Sequence, residues 1–182
     1  MRVFITGVGC VGKTTIGAKL AALLDCSFFD LDDEIEKFFS MPIELLQDKF
    51  LTIYSFREEA SKALEYLLKF EDSQNSVIAL PSSGLMHGYW RVIKKTTGIT
   101  VVITDEAENI LNRVIFFDKE SKPIEKYLSD EDKKYYLREI KKDITYFNRT
   151  YKRANIFFNI AGLDADQSAV KLESAIKKFK FE

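Results

Sequence analysis

The chain is poor in the residues that build metal centres and covalent cross-links. One histidine, His87, and two cysteines, Cys10 and Cys26, are all that 182 residues contain. A single histidine and two cysteines without Cys-x-x-Cys spacing argue against a zinc cluster or a disulfide framework, and reduced thiols in cytosol are the expectation. An excess of one charge is also missing: 27 basic against 28 acidic residues leave a formal net −1. No global basic field exists to draw nucleic acid or an anionic membrane. The locally basic run EIKKDITYFNRTYKR (139–153) mixes signs at helical spacing, which reads as a solvated helix face. No apolar stretch approaches the roughly 18 residues of a membrane span. The first residues lack a basic segment leading into an apolar run, so no signal peptide and a cytoplasmic location are expected. No internal repeat or low-complexity linker interrupts the chain. With 46% hydrophobic and 30% charged residues, its length fits one soluble domain with a substantial core.

What is present is an alternation of short apolar runs with amphipathic segments. RVFIT (2–6), SFFDLD (27–32), SVIAL (76–80), GITVVIT (98–104) and NIFFNI (155–160) read as strands. The first is apolar on both faces, as a buried parallel strand must be. Helical spacing runs through 14–24, 33–39, 57–70, 85–96, 106–117 and 168–179, with Pro42 opening a helix. The charged stretch 118–132 breaks the pattern. Strands separated by helices predict an α/β chain with parallel βαβ units, a three-layer α/β/α sandwich on a sheet of about five strands. Ligands in such sheets sit beyond the carboxyl ends of the strands. That rule gathers 7–14, 30–32, 81–84 and the neighbourhood of Thr104.

The first of these is Gly7-Val8-Gly9-Cys10-Val11-Gly12-Lys13-Thr14, an ungapped G-x-x-x-x-G-K-[ST] between a strand and a helix. Glycines let the backbone curl so that successive N–H groups face phosphate oxygens, and the helix N-terminus adds positive charge. Lys13 would reach the β- and γ-phosphates, and the Thr14 hydroxyl would ligand Mg²⁺. Cys10 lies inside the loop, where a space-filling role and a redox-sensitive thiol are both open. Asp30 and Asp32 place two carboxylates at i and i+2, on one side of a strand as it ends. Phosphoryl transfer uses one acid to orient a metal and another to accept a proton. Helix capping by Asp32 or Asp33 is the alternative, though it leaves Asp30 without a task.

Together these residues resemble the shikimate kinase family of P-loop small-molecule kinases over nearly the whole chain. The resemblance rests on GVGCVGKTTIGAKLA, on FFDLDDEIE as the family's F-x-D-x-D-x-x-I-E, on FREEA (56–60), on TVVIT and on YKRANIFFNIAGLD. It implies a nucleoside-monophosphate-kinase-like P-loop fold in one domain, 1–182, with a substrate-binding region at about 31–62 and a mobile lid at about 117–131. It implies ATP bound through Gly7, Gly9, Cys10, Val11, Gly12, Lys13, Thr14 and Thr15, with Arg113 stacking on adenine. Mg²⁺ would sit at Thr14 and Asp30. Asp32 would bind the acceptor hydroxyl and act as base, Arg57 would clamp its carboxylate, and Lys122 would arrive with the lid. The implied activity is phosphoryl transfer to a hydroxyl of a small acid, shikimate foremost, by a monomer. Another hydroxylated acceptor, or a nucleotide-binding protein that has lost transfer, stays open.

The departures concentrate on the acceptor side. Where the family carries three consecutive glycines, this chain has Pro81-Ser82-Ser83 and then Gly84, so Ser82 and Ser83 become candidate acceptor contacts. The lid's Arg-Pro pair is met by Lys122-Pro123, which keeps charge but loses the bidentate fork. A second carboxylate-binding arginine is expected at Phe147, with Arg149 two residues on as its replacement. A glutamate expected after Phe-Arg is met by Ala60. His87 lies just past the altered loop, and Tyr89 with Trp90 reads as packing.

Overall fold

The computed structural model describes residues 1–179. In chain order the elements are β1 (Arg2–Thr6), α1 (Lys13–Leu23), β2 (Ser27–Asp30), α2 (Leu31–Phe39), α3 (Ile43–Gln47), α4 (Ile53–Leu67), β3 (Ser76–Ala79), α5 (His87–Ile93) and β4 (Ile99–Thr104). Then come α6 (Ala107–Leu111), β5 (Phe116–Phe117), β6 (Pro123–Ile124), α7 (Asp130–Tyr151), β7 (Ile156–Asn159) and α8 (Ala165–Phe179).

Five strands form one parallel sheet in the order β2–β3–β1–β4–β7. β1 lies at its centre, paired with β3 and β4, and Val3, Phe4, Ile5 and Thr6 are buried. The chain steps from β1 outward to β2 in one direction and makes every later crossover in the other. Right-handed connections therefore place α1 on one face and α4, α5 and α7 on the opposite face. After β7 the chain doubles back, and α8 packs on α1. The result is the expected three-layer sandwich, and all five strands end at the same rim. No described helix is long and apolar enough to cross a membrane.

Most boundaries shift by a few residues, and two of the differences bear on the site. The second strand stops at Asp30, because the Asp30 side chain accepts the N–H of Asp32 (3.1 Å) and caps α2. Leu31 and Ile35 then face the core with no exposed surface, each contributing about 1.5–3 kcal/mol by burial. Asp32 is therefore on the first turn of a helix, not on the strand. The helix expected across 106–117 ends at Leu111. Phe116–Phe117 pairs antiparallel with Pro123–Ile124, since the Asp118 side chain accepts the N–H groups of Glu120 and Lys122 and turns the chain. Much of the broken charged stretch is thus a hairpin, and its end is the first turn of α7, started by a Ser129–Asp132 capping box.

Candidate active site

The loop after β1 is pinned at its base and open at its crown. Val8 and Val11 are buried. A Cβ on Gly7 would stand 2.4 Å from the Ile103 carbonyl oxygen, so the strand end tolerates only glycine. Gly12 (φ +105°) and Cys10 (φ +57°) hold left-handed backbone that bends the loop into α1. At Gly9, by contrast, a Cβ would meet nothing within 4 Å. Packing does not require glycine there, and the backbone is left open to close approach. Lys13 Nζ donates to the carbonyls of Gly7 (3.1 Å) and Val8 (3.0 Å), which holds the ammonium over the loop. Burial lowers its pKa, opposed by Asp32, Asp30 and Cys10. An anion beside it would compensate the desolvated charge.

Asp30 joins this cradle to α2. Its Oδ2 accepts from Thr14 Oγ1 at 2.6 Å while Oδ1 caps the helix. Capping and a role beside the cradle thus coexist in one residue. Hard oxygens on Thr14 and Asp30 suit Mg²⁺, which takes one or two protein oxygens and leaves the rest to water and phosphate. A dedicated cage would need more, and no cluster of three or more His, Cys, Asp or Glu gathers among the described residues. Asp32, one helical step on, reaches solvent in the cleft yet is crowded by protein. That crowding, and next the Asp30 carboxylate, push its pKa up to about 6 against the pull of Lys13. Thr15 is exposed on the first turn of α1. At the cleft's other end Arg113 pairs with the buried Asp105, which also accepts from Asn109. Arg113 Nε is buried without a hydrogen-bond partner among the described residues.

The opposite wall is built by α4, α5 and the end of α7. Arg57 is half-buried on α4 and makes no ion pair or side-chain hydrogen bond among the described residues. Its neighbour Glu58 is taken by both guanidinium nitrogens of Arg91. The first turn of α5 lies tight on α4: a Cβ on Gly88 would stand 2.3 Å from Ser61 Oγ. His87 sits edge-on to Tyr54 at 4.7 Å. The Tyr89 ring is buried, and its phenol is held well above the usual range by burial and then by Asp32, with Arg57 opposing. The 81–84 loop is fixed by Thr6 Oγ1 donating to the Pro81 carbonyl (2.9 Å) and Tyr151 Oη donating to that of Ser82 (3.1 Å). Gly84 is required where it stands, because a Cβ there would meet Leu80 Cβ at 2.6 Å. Two open hollows lie away from this cleft, beside Asp25–Ser27 and beside the 114–127 hairpin, and neither brings these groups together.

Comparison with known proteins agrees with this arrangement. The family model of shikimate kinase matches residues 9–177. The chain belongs to the shikimate kinase family. A shikimate kinase from Alkaliphilus oremlandii is 35% identical over 132 residues, 72% of this chain and 73% of that one. The crystal structure of shikimate kinase from Bacteroides thetaiotaomicron superposes with a TM-score of 0.78 at 25% identity, covering 97% of this chain and 98% of that one. A shikimate kinase from Acinetobacter baumannii in complex with shikimate shares the fold, with a TM-score of 0.73 at 22% identity over 100% of this chain and 95% of that one.

At the positions where acceptor contacts are expected, this member departs from the shikimate kinase pattern. Phe147 is buried and stacked on Tyr151 at 5.8 Å, so an apolar pair braces the 81–84 loop. Arg149 is exposed, with no side-chain partner among the described residues. Ser83 is buried and Ser82 half-buried. Lys122 Nζ bonds Glu120 at 2.6 Å and is not directed to the cradle. Instead Ser121 holds the hairpin tip down, its Oγ 2.5 Å from Glu36 and 2.9 Å from Glu44. Sequence reasoning did not single out Tyr89, Tyr151, Ser121 or Arg153 for the site. The signal for Tyr89 is an aromatic two residues after the lone histidine. The others act through partners 68 or more residues away in the chain.

Proposed function

We propose that this chain transfers the γ-phosphoryl group of ATP to a hydroxyl of shikimate, giving shikimate 3-phosphate and ADP. The observation that carries the reading is the setting of Asp32. It is a carboxylate on the first turn of α2, beside Asp30. Crowding raises its pKa and Lys13 on the cradle side lowers it, and it in turn raises that of Tyr89 on the acceptor side.

The triphosphate lies on residues 7–14, with backbone N–H groups and Lys13 against its oxygens and Arg113 beside the base. Thr14 and Asp30 would hold Mg²⁺, which would supply positive charge against that of the phosphates. Asp32 accepts the acceptor's hydroxyl proton as that oxygen bonds to the γ-phosphorus and the bridge to the β-phosphate breaks. Arg57 holds the acceptor carboxylate with its planar fork, and Ser82 and Ser83 line the loop beneath the ring. Residues 31–62 form the acceptor side, and 117–131 close as a lid that excludes water, bringing Lys122 in. Catalysis is then positioning and electrostatics. Every group comes from one chain, so a monomer suffices. The second reading, another hydroxylated acid as acceptor, is favoured by one observation: side chains at Pro81-Ser82-Ser83 fill space that glycines leave open.

Titration of shikimate against the ATP-loaded protein tests the assignment. The wild-type chain binds saturably, and Arg57→Ala binds about tenfold or more weakly, the worth of a charged hydrogen-bonded pair. Equal binding by the two proteins, or binding of a different hydroxy acid in place of shikimate, contradicts it.

A further inference from the structure

The turn after β3 stands where the two halves of the site meet. In the sheet, Ala79 pairs with Asp30 of β2 on one side and with Ile5 of β1 on the other. The chain therefore leaves β3 between the acid that caps α2 and the strand that feeds the cradle. Residues 81–84 close a β-turn there, the Gly84 N–H donating to the Pro81 carbonyl at 2.8 Å. Ser82 and Ser83 are its two central residues, and neither has a positive φ.

Side chains from two distant elements grip this turn by consecutive carbonyls. Thr6 Oγ1, at the end of β1, donates to the Pro81 carbonyl (2.9 Å), and Tyr151 Oη, in the last turn of α7, to that of Ser82 (3.1 Å). Both residues are buried. Burial holds the Tyr151 phenol well above its ordinary pKa, so it stays a donor. In a trans peptide the C=O and the following N–H point in opposite directions. Engaging the carbonyls of Pro81 and Ser82 thus turns the N–H groups of Ser82 and Ser83 away from the two braces. Neither N–H has a hydrogen-bond acceptor among the described residues, and two successive free N–H groups suit electronegative oxygens.

The Ser82–Ser83 peptide is the one that a β-turn can flip. Its two orientations distinguish types I and II, and type II needs a positive φ at Ser83, which glycine supplies and serine resists. Consecutive glycines leave such a turn free to take both. Pro81-Ser82-Ser83, gripped by Tyr151, holds it in one.

We propose that Tyr151 is a positioning residue of the acceptor site, fixing the 81–84 turn in the one orientation that presents the N–H groups of Ser82 and Ser83 to the acceptor's oxygens. Thr6 shares the task. This rests on the kinase reading above, and it makes the departure from glycine a preorganisation of the loop.

Steady-state kinetics and amide spectra of three variants test it. Tyr151→Phe keeps the ring that stacks on Phe147 and removes only the donor. Its KM for shikimate is expected to rise about fivefold, the net worth of one hydrogen bond, with kcat and KM for ATP near wild type. Thr6→Val, which takes the other hydroxyl from the turn, raises the same KM. Thr150→Ala removes a neighbouring hydroxyl that serves the Phe147 carbonyl instead, and behaves as wild type. In ¹H–¹⁵N spectra with ADP bound, shikimate moves the amide signals of Ser82 and Ser83 in the wild-type chain, and moves them much less in Tyr151→Phe. An unchanged KM for shikimate in Tyr151→Phe overturns the inference. So does an equal loss on ATP and shikimate, which marks a structural role, and so do wild-type amide signals that saturating shikimate leaves in place. Wild-type protein that neither binds nor turns over shikimate overturns the acceptor reading and this inference with it.

Discussion

At the scale of single residues, Asp32 carries the sharpest expectations. Its proton-accepting form is the carboxylate, and crowding with Asp30 next to it raises its pKa to about 6. An acid with a raised pKa stays protonated to higher pH, so activity is lost at milder acidity than an ordinary aspartate would allow. kcat/KM measured at low ATP should fall about tenfold per pH unit below about 6, since that ratio reports groups of the free enzyme. Asp32→Asn should cost about 10²–10⁴ in kcat and abolish this acid limb, with KM for ATP little changed. A limb that persists in the variant would assign it to another group. Gly9 offers a second test, because its open surroundings separate binding from stability. Gly9→Ala should leave thermal unfolding near wild type but raise KM for ATP several-fold. Gly7→Ala, against the Ile103 carbonyl, should instead cost stability by about 1–3 kcal/mol through overpacking. An ATP KM untouched by Gly9→Ala would show that the phosphates do not approach the backbone there.

Elements show where the sequence was legible and where it was not. The cradle reads directly because glycine, lysine and threonine act through their own local backbone, and the helix and strand beside them share the same few residues. The second strand was read two residues too long, because one side chain decides the boundary: the Asp30 cap starts a helix inside an otherwise strand-like run. The hairpin at Phe116–Ile124 was read as helix up to Phe117, since its turn depends on Asp118 meeting two N–H groups across the bend. The bond from Arg153 to the Leu85 carbonyl was out of reach altogether: the two residues are 68 apart in the chain, and periodicity carries no information about such a pairing. The lid tip follows the same logic, with Ser121 facing Glu36 and Glu44 across 85 and 77 residues. Removing that hydroxyl with Ser121→Ala should loosen the hairpin while leaving global stability within about 1 kcal/mol, the net worth of one hydrogen bond. Faster proteolysis within 118–122, with an unchanged unfolding midpoint, is the expected pattern. Equal cleavage rates would show that the contact does not hold the tip.

At the scale of the whole molecule, the fold divides labour between two halves that meet at Asp30 and Asp32. The sheet and α1 carry the proposed nucleotide site, where the sequence keeps the family's motif residues. The wall from α4, α5 and α7 keeps Arg57 but replaces glycines by Pro81-Ser82-Ser83 and an expected arginine by Phe147. A binding site formed only in the folded state couples ligand to stability. ATP at a hundred times its Kd should therefore stabilise the chain by about 2.7 kcal/mol, seen as a rise in unfolding temperature that Lys13→Ala removes. Phosphoryl transfer to the acceptor is read directly by one measurement. ³¹P NMR of the protein with Mg²⁺, ATP and shikimate should show ADP and a new phosphate monoester forming together, and Asp32→Asn should abolish both. ATP consumption no faster than without shikimate, with another hydroxy acid phosphorylated in its place, would contradict it.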